Sequence, residues 1–175
     1  MNDQTTTEKA SSTLGPTLGF LTLRLWLSLR AIITGIEKYA GTMSSDVPVD
    51  IDGATNTYGL TAGASEKVYG LTHYHGVPQA LLGKFESEPL IPSFALSLFD
   101  KMIGPSLILC GLTLLLGVAT RISLFAMGLI YMALTMGLIL IKQDAGISWL
   151  AVHILIVAFA LFHAQANRFE LLKKW

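Results

Sequence analysis

Arg30 lies near the middle of an apolar run, residues 14–41, where an ionisable side chain costs at least about 2.5 kcal/mol to place in hydrocarbon. Such a group needs a partner. Helical spacing puts Trp26, Arg30, Thr34 and Glu37 on one stripe, facing a bundle or a neighbouring subunit. From that stripe Arg30 can donate hydrogen bonds to an anionic or quinone-like ligand. The plainer alternative is pairing with backbone carbonyls or another subunit purely for assembly. His153 is the one ionisable side chain of the apolar run 147–162. An imidazole there can relay a proton, hydrogen-bond a quinone carbonyl or ligate haem iron, or simply bond within the fold. His163 stands ten residues further on, about 15 Å along the same helix, so the two cannot clamp one iron. His73 and His75 share a side of an extended segment, but two histidines are a weak metal signature, and no metal is expected. Cys110 is alone, which removes internal disulfides, CxxC redox pairs and thiolate clusters. There is no glycine-rich phosphate loop, paired-acid geometry or Ser-His-Asp order, and the catalytic residues stay unassigned.

The elements that position these groups follow from composition. Of 175 residues, 52% are apolar and 14% charged, with a mean hydropathy of +0.57. A bilayer crossing takes about 20 mainly apolar residues, and the chain supplies four, at 14–41, 103–119, 121–141 and 147–163. These runs are continuously apolar, without the alternation of barrel strands, so the crossings are helices. The expected fold is an all-α integral membrane bundle of four transmembrane helices, with a long extracytoplasmic loop between helices 1 and 2. Small residues such as Gly104, Gly111, Gly117, Gly128 and Gly137 suit close helix approach. Twelve basic residues against twelve acidic ones leave no basic surface for nucleic acid.

Orientation follows from basic residues near membrane ends. The side holding both termini carries Lys9, Arg121, Arg168, Lys173 and Lys174, whereas segment 42–102 holds seven acids against three bases. Both termini, the polar tail 1–13 and the basic tail 164–175, are expected in the cytoplasm, with no cleaved signal peptide. A loop of this length implies structure or a task. Residues 43–63 read as irregular or short strands. Pro78 and Pro92 are each placed to open a short helix, through Lys84 and Lys101, and Gly104-Pro105 is expected to bend the chain into the second crossing. Tyr58, Tyr69, Tyr74 and Phe85 are candidates for the interior of an external cap.

Three stretches carry a family resemblance. Arg24, Gly35 and Lys38 follow an R-x10-G-x2-K pattern, Gly111, Leu114, Gly117, Thr120 and Arg121 follow G-x2-L-x2-G-x2-T-R, and Ala166-Asn167-Arg168 ends the fourth helix. In these the chain resembles the DoxX-like family of four-helix membrane proteins, whose relatives include the DoxD-type subunit of thiosulfate:quinone oxidoreductase. The resemblance covers the four crossings and not the loop from residue 42 to about 88. It implies a bacterial or archaeal inner-membrane subunit of a redox complex, passing electrons from a periplasmic, thiosulfate-like donor to quinone. Trp26, Arg30, Thr34, Glu37 and His153 would then be the quinone-proximal candidates, and no cofactor would be covalently bound. A non-catalytic anchor for other membrane or periplasmic subunits is the alternative, and a small transporter built by homo-oligomerisation a more distant one.

Overall fold

The computed structural model describes residues 2–171, with side chains described for 14–54 and 56–171. Lys173 and Lys174 of the basic tail lie outside the described residues. The order of elements is α1 (Asn2–Glu37), β1 (Ala40–Pro48), β2 (Asp50–Ile51), β3 (Ala54–Thr55), β4 (Thr61–Tyr69), α2 (Gln79–Glu86), α3 (Ser93–Leu116), α4 (Thr120–Leu140) and α5 (Asp144–Phe162), with single 3-10 turns at Leu71–His73 and Ala164–Ala166. Segments Leu14–Glu37, Ser93–Leu116, Thr120–Leu140 and Asp144–Phe162 are long and apolar enough to cross a membrane. This is the build of a multi-pass membrane protein.

Burial supports that reading. Leu25, Leu29 and Ile33 on α1, Leu109 and Leu116 on α3, Phe125 and Met132 on α4, and Leu155 and Phe159 on α5 all point outward, while Arg24, Ser28, Thr120, Ser123 and His153 are buried. A surface so apolar around a partly polar interior is stable only against lipid. The apolar core runs through Phe20, Leu27, Leu107, Leu114, Leu124, Met127 and Val157. α1 packs chiefly on α3, and α4 on α5. The first seam is close because it is lined with glycine: a Cβ on Gly35 would stand 3.0 Å from the Gly104 carbonyl, and one on Gly111 3.0 Å from that of Ser28. Neither gap admits a side chain without parting the helices.

α3 is longer than expected. It runs unbroken from Ser93 through Gly104 and Pro105, so the short helix opened by Pro92 and the second crossing are one element. Pro105 has no N–H to give to the Lys101 carbonyl. The Tyr74 hydroxyl fills this defect: it lies 2.5 Å from the Asp100 carbonyl and 3.1 Å from that of Lys101, and accepts from the Gly104 N–H at 3.2 Å. A loop side chain thus satisfies backbone groups that the proline frees. At the other end of α3, Gly117 (φ +69°) takes the left-handed conformation that ends a helix, and α4 begins three residues later.

α1 stops at Glu37, short of the expected span, and the chain turns into an antiparallel hairpin of β1 with β4, paired from Ala40–Tyr69 to Pro48–Thr61. Its side chains are nearly all exposed. Pro78 and Pro92 stand at the N-caps of α2 and α3, as proline's fixed φ favours. Of the four aromatic cap candidates, Phe85 is buried and Tyr74 half-buried, whereas Tyr58 and Tyr69 are exposed.

Candidate functional site

The end of the bundle that carries the long loop contains a cavity of about 410 Å³, within the range of small-ligand sites. Its wall is formed by α1, α2, α3, α4 and α5, through residues that include Thr34, Phe85, Leu107, Leu134 and Leu150. Among the described residues, Thr34 and Lys38 are its only hydrogen-bonding side chains. The spacing of α1 explains the pair: Arg30, Thr34 and Lys38 lie four residues apart on one stripe. Lys38 is half-buried. Burial pushes its ammonium below the ordinary lysine pKa, and the charge of Asp100 opposes that shift. Asp100 Oδ1 in turn accepts from the Val77 N–H at 2.6 Å, fixing the segment before α2.

One helical turn deeper, every crossing contributes one polar side chain. Beneath Thr34 is Arg30, beneath Leu107 is Cys110, beneath Leu134 is Tyr131, and beneath Leu150 is His153. Because α1 and α4 run one way and α3 and α5 the other, offsets of three or four residues in opposite senses reach the same depth. The Tyr131 and His153 rings meet edge to face, centroids 5.4 Å apart. His153 is only 9% exposed. Its Nδ1 is 2.8 Å from the Trp149 carbonyl, which can only accept, so Nδ1 carries the proton. Nε2 is buried and has no hydrogen-bond partner.

The opposite end, where the termini lie, is closed. Arg24 is 5% exposed, and its Nη1 donates to Asn167 Oδ1 at 2.9 Å and to the Phe169 carbonyl at 2.5 Å. Asn167 Nδ2 donates to Thr120 Oγ1 at 3.0 Å and Glu170 Oε1 at 2.7 Å. A Cβ on Gly117 would stand 2.6 Å from the Phe169 carbonyl. The chain after α5 is thereby strapped to α1 and to the α3–α4 turn, 143 residues separating Arg24 from Asn167.

The residues singled out from sequence therefore divide. Thr34 and Lys38 line the cavity, whereas Arg30, exposed one turn back along α1, and His153, buried one turn on along α5, do not. Trp26 is 51% exposed and is not on the cavity wall. Glu37 leaves the stripe: it pairs with Lys67 at 2.5 Å and accepts from the Tyr69 hydroxyl at 2.9 Å, tethering the hairpin. Helix α1 ends there, so Glu37 is free to meet β4. Arg24, Gly117 and Thr120 meet in the strap; Gly35 and Gly111 lie in the α1–α3 seam; Arg121 and Arg168 are exposed. His73 and His75 border a shallow groove at the hairpin base, and among the described residues no three metal-ligating side chains cluster. Tyr131 and Cys110 escaped sequence reasoning as site residues, since each looks like ordinary apolar-helix packing until the four helices are aligned.

In comparisons with protein-family models, curated proteins and solved structures, nothing matches this chain.

Proposed function

We propose that this chain is an inner-membrane subunit of a redox assembly and that its cavity holds a quinone ring receiving electrons from an extracytoplasmic, thiosulfate-like donor. The termini face the cytoplasm and the hairpin faces outward in this reading, as the distribution of basic residues favours. The carrying observation is the cavity itself: apolar walls at the loop end of the bundle with one cation, Lys38, and one hydroxyl, Thr34, among them. An apolar wall suits the ring, and an ammonium or hydroxyl donor suits a carbonyl oxygen. The chain would supply orientation and electrostatics while the carriers do the redox chemistry. The DoxX-like resemblance points to the same class of reaction. Purified in mild detergent, the protein is expected to bind a short-tailed quinone and to lose about tenfold in affinity on Lys38→Leu, the worth of one charge-assisted hydrogen bond. Unchanged binding in that variant would remove the cavity from consideration.

A second reading, the non-catalytic anchor, is favoured by Arg30. It is exposed on α1, and among the described residues the only ion pair is Lys67–Glu37. An exposed cation at that depth suits a carboxylate on a neighbouring membrane subunit. Arg30→Met separates the readings: loss of copurifying subunits with quinone binding intact supports the anchor, and the reverse supports the redox role.

A further inference from the structure

The cavity is polar on one side and open on another. α1 packs chiefly on α3 and α4 on α5, which sets α1 and α4 at opposite corners of the bundle. The α1 corner brings Thr34 and Lys38 to the cavity wall. Among the described residues, those that both line the cavity and reach the outer surface are Pro78, Leu90, Pro92, Ala133 and Met136. None of these side chains can form a hydrogen bond, and all but Pro78 lie on α4 or just ahead of α3. Leu90 is 71% and Met136 63% exposed, and they mark a mouth between the head of α3 and the end of α4. The outward residues beside it are apolar as well, Leu98 and Met102 on α3 and Met132 and Ile139 on α4, so the mouth opens on the lipid-facing surface. The segment ahead of α2 closes the side nearest the loop. Val77 N–H donates to Asp100 Oδ1 at 2.6 Å, and a Cβ on Gly76 would collide with the Asp100 carbonyl.

We propose that the ligand is lipid-borne and long-tailed, its ring held against Thr34 and Lys38 and its hydrocarbon tail leaving between α3 and α4 past Leu90 and Met136. A volume of about 410 Å³ takes a ring and the first part of such a tail. The rest runs on outside, and a polyisoprenoid chain has no polar group to satisfy there. The inference rests on the cavity being a quinone site. It adds the class of quinone and the side from which it enters.

The test is photolabelling of the purified full chain in phospholipid nanodiscs, using a naphthoquinone with a diazirine on its isoprenoid tail and reading the crosslinks by peptide mass spectrometry. Crosslinks are expected at Leu90, Ala133 and Met136, and an excess of tail-free naphthoquinone should remove them. Crosslinks at Leu155 and Phe159, which face outward on α5 and are reached from bulk lipid, should persist. Met136→Trp, which narrows the mouth, should weaken the tailed quinone about tenfold more than the tail-free one. Competable crosslinks on another face, or none at the mouth while the tail-free ring still binds, overturn the proposal and leave the quinone site standing, as does equal weakening of both ligands by Met136→Trp. If the tail-free ring fails to bind the unaltered protein and no crosslink is competable, the quinone reading falls and the proposal with it.

Discussion

The two ends of the bundle treat a cation from the same helix in opposite ways. At the terminal end Arg24 is enclosed by Asn167 and the Phe169 carbonyl, and that amide passes the bonding on to Thr120 and Glu170. At the loop end Lys38 stands beside an open apolar cavity, with Asp100 near enough to oppose its loss of charge. One end spends its polar groups on holding the chain together, and the other leaves them available. A closed network specifies structure, whereas an underused donor or acceptor beside a cavity specifies a ligand. Arg24 Nε and His153 Nε2 are both buried without partners, yet they differ in kind. The first belongs to a guanidinium already bonded twice through Nη1, and the second is the only free atom of its ring.

Breaking the strap should have the largest effect. Arg24→Ala removes two hydrogen bonds from a charged donor, to Asn167 and the Phe169 carbonyl, and at roughly 1.5–3 kcal/mol each is expected to destabilise the bundle by about 3–5 kcal/mol, read as a lower thermal unfolding temperature in detergent. Arg24→Lys should recover little, because one ammonium cannot reproduce a planar fork. Survival of Arg24→Ala at unaltered stability would erase the contrast between the ends. Next comes Tyr74→Phe, which removes the hydroxyl that satisfies α3 around Pro105. A loss of about 1–3 kcal/mol is expected, with faster hydrogen exchange at Gly104 in the same sample.

At the loop end the signs reverse. Lys38→Leu relieves the burial of a charge and should leave stability unchanged or raised by up to about 1 kcal/mol, while quinone affinity falls. Such a split between stability and binding would sharpen the comparison, and a matched loss of both would break it. The smallest effect belongs to the hairpin tether. The bond and charge of Glu37, with help from Tyr69, hold the Lys67 ammonium above the ordinary lysine pKa. Its contribution is therefore complete below that ordinary value, about 10.4, and is lost as pH rises through the raised one. Protease access to β1 and β4 should stay constant from neutral pH upward and increase only in that alkaline window. Glu37→Gln should make access high and independent of pH.

Much of the fold was legible in the residues because lipid leaves few options. An apolar run of about 20 residues in hydrocarbon must satisfy its backbone internally, so the four helices follow from composition and length. Pro78 and Pro92 marked helix starts for the same local reason, a fixed φ and a missing donor. The short helix opened by Pro92 continues past Lys101 into the second crossing, which local rules miss because they omit Tyr74, whose hydroxyl arrives from 30 residues away in sequence to bond the helix backbone. Glu37 was placed on the Arg30 stripe by a periodicity that stops mattering where the helix stops.

The sequence by itself determined the number of crossings, their apolar outer faces, and the presence of Arg24, Arg30, Lys38 and His153 where charge or polarity is expensive. Only the tertiary structure decided what each does. Arg24 became a buried clamp because the tail folds back over it, and Thr34 and Lys38 became cavity wall because the five helices leave a space beside them. Cys110, Tyr131 and His153 joined Arg30 in one layer because antiparallel helices bring residues far apart in the chain to equal depth. Periodicity acts within a helix and reports its faces; the depth and rotation of one helix against another come from glycine seams and packed side chains, which no single segment encodes.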